Sequence, residues 1–291
     1  MRRVNVILAI ALCLLFTNCT DKATNSKYSD QAAIIDLISI DYEDLFMYEL
    51  IDTPIPDTTS FYNGSTDDRF CYWKIIGSNT RNIKIDIQYP ELKYPIADVS
   101  ILDSIEVITN VIYYDTTATP DSIIRLTNST YELQNIKAVL KQINPSSKNR
   151  NGWWIESITG NNGYAFPPYR SLNSVIVTAS LSQQRIFSID DILTPQPTSE
   201  LLSVGKGENR KITIIKGGYD DDIVTFHMSE INGCRKIDLE KLDENTYQAI
   251  FTAPERNGFF YITADVINVN DLIQSDEYHI HRWAIPVYVV D

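Results

Sequence analysis

The chain has 291 residues, 44% hydrophobic and 11% aromatic, which is enough apolar material for two cores and excludes a disordered chain. Its 38 acidic residues outnumber 25 basic ones, and a net charge of −13 repels phosphate backbones and anionic headgroups alike. Nucleic acid is therefore not an expected partner, and any hold on a membrane must come from something other than charge.

The first residues, MRRVNVILAIALCLLFTNCT, place Arg2 and Arg3 before an apolar run over residues 6–16 and a cysteine at Cys19. A cationic start, a short apolar run and a cleavage site make an export signal. The run is too short to cross a bilayer, which takes ~20 apolar residues. The segment Leu15-Phe16-Thr17-Asn18-Cys19 resembles a bacterial lipobox, with Phe16 and Asn18 departing from the family's usual residues. The resemblance implies a signal peptide over residues 1–18, lipidation at Cys19 and a flexible tether over 19–29. It also implies an exported lipoprotein, anchored to a bacterial membrane (the outer membrane by preference), facing the periplasm or the surface. After Thr20 no stretch approaches ~18 apolar residues.

A first domain is expected over residues 30–160. Ile34, Leu37, Ile38, Tyr42, Leu45 and Met47 recur at mostly helical steps after a cap at Ser29 or Asp30. Pro54 and Pro56 stop this helix. A second, short helix is expected through Cys71, Tyr72, Trp73 and Ile75. The period then changes to two: Ile83, Ile85 and Ile87 alternate with Lys84, Asp86 and Gln88. Strand-like stretches follow at 106–114, 123–126, 131–143 and 153–158. Helix first, then long antiparallel strands, is an α+β order. This order, with the closing strand Gly152-Trp153-Trp154-Ile155-Glu156, resembles the NTF2-like (SnoaL-like) superfamily, which implies a helix wrapped by a curved sheet in a cone. A pocket in such a cone would be lined by Tyr72, Trp73, Trp153 and Trp154 and suit a small apolar or sugar-like ligand. On the first helix, Asp41, Glu43 and Asp44 either face that pocket or lie on a solvated face.

Residues 161–198 read as a connector, because Asn161-Asn162-Gly163 and Pro167-Pro168 break regular structure and Thr194-Pro195-Gln196-Pro197 is extended. From 199 to 291, short strands are punctuated by Gly217-Gly218, Asn232-Gly233 and Asn257-Gly258. This pattern suggests an antiparallel sandwich. The segments TYQAIFTAP and GFFYITA resemble the penultimate hairpin of bacterial immunoglobulin-like domains, without the tyrosine corner and the disulfide. The expected fold class is thus an α+β NTF2-like cone followed by an all-β Ig-like sandwich.

Little in the sequence carries chemistry. Glu277, His279 and His281 share one face of a strand by period two and form a possible metal set, weighed against an ordinary polar strand face. No cofactor motif is present. Cys71 and Cys234 read as buried free thiols, although an exported protein permits a disulfide. The expected function is a non-enzymatic, lipid-anchored envelope protein that binds envelope proteins or a small ligand. A small hydrolase or isomerase using the pocket, and a structural assembly component, are the alternatives.

Overall fold

Strand periodicity dominates the chain from Arg69 onward. The computed structural model describes residues 21–46, 62–63, 69–115, 122–147, 149–165, 172–180, 183–217, 222–230, 233–268, 271 and 279–291. The export signal, Cys19 and Glu277 lie outside the described residues.

The described residues open with helix α1 (Asp21–Asp36), a π turn (Leu37–Asp41) and the short α2 (Glu43–Phe46). The strands that follow are β1 (Tyr62–Asn63), β2 (Arg69–Gln88), β3 (Ile96–Asp115), β4 (Ser122–Gln142), β5 (Trp153–Ile158), β6 (Asn161–Ala165), β7 (Leu172–Ser180) and β8 (Gln183–Phe187). Helix α3 (Ile189–Leu193) precedes β9 (Gln196–Pro197), β10 (Leu202–Gly205), β11 (Asn209–Lys216), β12 (Asp222–Glu230) and β13 (Gly233–Ile237). The last are β14 (Glu240–Lys241), β15 (Thr246–Thr252), β16 (Gly258–Asn268) and β17 (Ile280–Val290).

Among the described residues these strands form two sheets. The larger has 12 strands, with the path β1-β2-β3-β4-β6-β17-β16-β12-β13; β5, β9 and β10 pair alongside it. The smaller has five, in the order β14-β15-β11-β7-β8. One continuous sheet thus contains strands from both halves of the chain.

The expected fold class is overturned. The described chain is 67% strand and 14% helical, with a single helix of seven residues or more, which does not fit a helix-filled NTF2-like cone followed by a separate Ig-like sandwich. Two local misreadings explain the difference. Cys71, Tyr72, Trp73 and Ile75 lie inside β2, where aromatic and β-branched residues suit the pleated surface better than a helix. Asn161-Asn162-Gly163, read as a break, begins β6, which pairs with β4 on one side and β17 on the other. That single short strand joins the two halves of the sheet.

Each face of the large sheet carries a core. On one face Phe226, Phe260, Val266, Trp283 and Ile285 pack against Val175, Val177, Ile212, Ile214 and Phe251 of the small sheet. Phe251 centres this core, with ring centroids 5.9 Å from Phe226 and 6.4 Å from Phe260. On the other face Ile34, Leu37, Ile38, Leu45 and Phe46 of the helical segment cover Val99, Ile101, Ile136, Leu140, Trp153 and Ile155. Alternation of the strands explains both: successive residues of β16 and β17 enter opposite cores.

Polar contacts dock the helical segment. Asp30 is buried and its Oδ1 accepts from Gln142 Nε2 (3.2 Å), Trp153 Nε1 (3.2 Å) and Asn151 Nδ2 (3.3 Å), while Oδ2 accepts from the Tyr89 hydroxyl (2.8 Å). Burial and the Asp30 carboxylate push the Tyr89 phenol up to about 12. Arg150 donates to Asp36 (2.9 Å) and through two nitrogens to Asp41 (2.7 and 2.9 Å). The chain reaches this position through three residues at positive φ: Arg150 (47°), Asn151 (51°) and Gly152 (71°). A Cβ on Gly152 would stand 2.0 Å from the Asn144 carbonyl oxygen, so only glycine fits. Arg81 secures the other end, bonding the Phe46 carbonyl (2.6 Å) and both oxygens of Asp103 (2.8 and 2.7 Å).

The region read as a connector also holds α3, which the sequence reading did not identify. Ser188 Oγ accepts from the Asp191 amide while the Asp191 carboxylate accepts from the Ser188 amide, a reciprocal capping box.

Candidate functional site

Where the helical segment ends on the large sheet, three aromatic rings meet in an open cleft of about 490 Å³. The π turn sets the first of them. Its Tyr42 amide bonds the Leu37 carbonyl at 3.0 Å, and the extra residue turns Tyr42 into the cleft while Ile38 and Leu45 stay buried. Phe259 and Tyr288 are direct neighbours on β16 and β17. Their centroids lie 4.8 Å apart at 47°, and Tyr42 stands 6.2 Å from Phe259 at 56°. The rings thus form an angled cradle rather than a flat stack.

Polar groups rim the cradle: Asp41 on the helical side, Thr198 and Ser199 beside it, and Arg256 and Asn257 from the turn before β16. Gly258 shapes that turn, since its φ of +125° is rare for a residue with a side chain although nothing stands near its missing Cβ. Hydrogen bonds from Arg150 hold the Asp41 carboxyl below its usual range, so it is an anion at neutral pH. Burial, together with Asp41 and Tyr288 nearby, raises the Tyr42 phenol, which stays a neutral donor. The cleft can offer aromatic faces, an anionic acceptor and neutral donors to one ligand.

The residues singled out in the sequence do not meet here. Trp153 is buried under α1 and spends its indole N–H on Asp30. Trp154 points to the opposite face and is exposed. Tyr72 and Trp73 sit on β2 opposite Val111 and Asn110; their side chains lie outside the described residues. His279 pairs with Asp271 at 2.8 Å. His281 is turned into the sandwich core, and Glu277 lies outside the described residues. Among the described residues no three His, Cys, Asp or Glu side chains converge as a metal site. Cys71 on β2 pairs opposite Ile112, and Cys234 on β13 opposite Ser229; the side chains of both lie outside the described residues. Of the helix carboxylates, Asp41 does line the cleft.

A second polar feature crosses the same sheet face. Strand register aligns Arg81, Asp103, Gln134, Gly163, Arg282, Asp265 and Thr225 in one row over β2, β3, β4, β6, β17, β16 and β12. At its centre Arg282 donates through Nη1 to Glu132 (2.7 Å) and through Nε and Nη2 to both oxygens of Asp265. Lys74 Nζ reaches the other oxygen of Glu132 at 3.0 Å. All four are buried. Arg282 crosses its neighbouring strand over Gly163, where a Cβ would make ordinary contact with Arg282 at 3.4 Å and Gln134 at 3.5 Å. Burial alone would raise the carboxyls of Glu132 and Asp265, but Arg282 and Lys74 more than offset it and hold both below the usual range. Two cations balance two anions within the network.

His281 gives a pH prediction. Its Nδ1 accepts from the Leu172 amide at 3.1 Å, and its Nε2 lies 3.1 Å from both Asn162 Oδ1 and the Trp283 indole nitrogen. Burial pushes the imidazole from 6.5 to about 4, against a smaller opposing pull from Asp265. The unfolded chain therefore binds a proton between pH 6.5 and 4 that the folded chain refuses. The His281 contribution to stability is full above that window, falls by up to about 3 kcal/mol through it and levels below it. Urea unfolding of His281→Gln should show a shallower slope there than the parent; parallel curves would exclude this assignment.

Comparison with protein-family models, curated proteins and solved structures found no match to this chain.

Proposed function

We propose that this chain is an exported, lipid-anchored binding protein of a bacterial envelope, whose aromatic cleft takes a ligand with an apolar face and several hydroxyl groups. A saccharide is the chemical class that fits. The observation that carries the reading is the cradle of Tyr42, Phe259 and Tyr288 beside Asp41, Arg256 and Asn257. Aromatic faces cover the C–H side of a sugar ring, while carboxylate, amide and guanidinium groups meet its hydroxyls. Export and anchoring rest on Arg2, Arg3, the apolar run over 6–16 and Cys19. The net negative charge argues against an electrostatic hold on a membrane, so the acyl groups supply the anchor.

The test is titration calorimetry against a panel of soluble oligosaccharides. At least one class should bind, and Tyr288→Ala should weaken it roughly 5–30-fold with unfolding unchanged. Binding that Tyr42→Ala and Tyr288→Ala leave intact, or no binding across the panel, would remove the cleft from the account.

A further inference from the structure

The tether expected over residues 19–29 is largely helix. Helix α1 runs without interruption from Asp21 to Asp30 and beyond. At 1.5 Å per residue the segment from Asp21 to Asp30 spans about 13 Å. Two extended residues back to Cys19 add at most about 7 Å. The lipid-bearing sulfur is thus confined to within a few residue lengths of a fixed end of the body. That end is defined by Asp30, which is hydrogen-bonded to Tyr89 and Trp153.

The same end carries a group of exposed apolar side chains. The β2–β3 connection presents Tyr89, Leu92 and Tyr94, and the start of the β4–β5 connection and of β5 present Ile143 and Trp154. Leu92 is fully exposed at a φ of 62°, held outward on the tip of its turn. Trp154 pairs directly opposite Lys141, whose ammonium lies 5.9 Å over the Tyr94 ring, so these side chains form one patch. Tyrosine, tryptophan and leucine are residues that settle at a bilayer–water interface, and the Lys141 ammonium, paired with Glu156 at 3.2 Å, sits among them.

We propose that this tip rests in the headgroup layer of the membrane that holds Cys19, so that the body is docked in one orientation rather than hung on a flexible leash. The inference rests on the lipid-anchored reading above and adds a lipid surface as the tip's partner. Insertion is apolar, and the net negative charge favours a zwitterionic surface over an anionic one.

The test uses the acylated protein purified from membranes and reconstituted into phosphatidylcholine vesicles with brominated acyl chains. Flotation reads the anchor, and quenching of tryptophan emission reads the tip. The protein should float, and brominated lipid should remove about a quarter of the emission, the share of one among four tryptophans. Trp154→Phe should abolish that quenching. Leu92→Glu should reduce it at least twofold, with flotation and circular dichroism unchanged. A floating protein whose emission is unquenched, or is quenched equally in Trp154→Phe, overturns the docked tip and leaves the anchor standing. A protein that does not float overturns the anchor and the docked tip with it.

Discussion

Arg282→Ala is expected to lower folding stability by about 3–5 kcal/mol, the cost of leaving buried charges without their partner. Arg282 is 1% exposed and is the group that ties Glu132 on β4 to Asp265 on β16 across Gly163. Alanine removes the cation, leaving buried Asp265 without its bidentate partner and buried Glu132 with Lys74 alone. The effect carries a pH signature. Both carboxyls sit below their usual range in the folded chain, so their contribution is full above about pH 4–5 and is lost as pH falls through the carboxylate range. Protonation relieves the stranded anions in the variant, so the gap between parent and variant should narrow toward pH 3. Urea unfolding at several pH values checks this. A gap that stays constant on acidification would show that Arg282 acts through packing alone.

Asp30→Ala is the second large effect, about 3–4 kcal/mol, through two buried donors left unsatisfied at roughly 1–3 kcal/mol each. Trp153 Nε1 and Gln142 Nε2 are both buried beneath α1 and both point at Asp30 Oδ1. Tyr89 is half-exposed and regains a partner from water. The loss is more than local, because α1 covers the core formed by Val99, Ile101, Leu140 and Ile155. The variant should bind a hydrophobic dye and show faster amide exchange in Ile34, Leu37 and Ile38 before global unfolding. Asp30→Asn keeps an acceptor and should cost less than half as much. Equal losses for Ala and Asn would show that the charge, not the acceptor, docks the helix.

Much of the local pattern was legible in the residues. The period-two run of Ile83, Ile85 and Ile87, the apolar face of Ile34, Leu37 and Ile38, and the turn at Asn257-Gly258 all lie where the structure has a strand, a helix and a turn. Strand order was not legible, and it decides the fold. Whether β6 closes a hairpin or joins two halves depends on which distant strands it meets, and these are β4 and β17. The charge row was half legible. A lone Arg282 in an apolar strand and a lone Asp265 in another signal a buried pair by their types, but their partnership needs the register of β16 on β17. The cleft was hidden for the same reason. Tyr42, Phe259 and Tyr288 come from three separated segments, and a π turn shifts Tyr42 off the helical face that simple periodicity assigns. The adjacent tryptophans drew notice by composition, yet strand alternation sends Trp153 into the core and Trp154 to the surface.

The central claim is that Cys19 is the membrane attachment of a binding body. Mass spectrometry of the mature protein extracted from membranes tests it most directly. The account predicts an N-terminal Cys19 carrying a diacylglyceryl group in thioether linkage on Sγ and an acyl chain on its amine. A mature N-terminus at another residue, or an unmodified Cys19 in the soluble fraction, would contradict it.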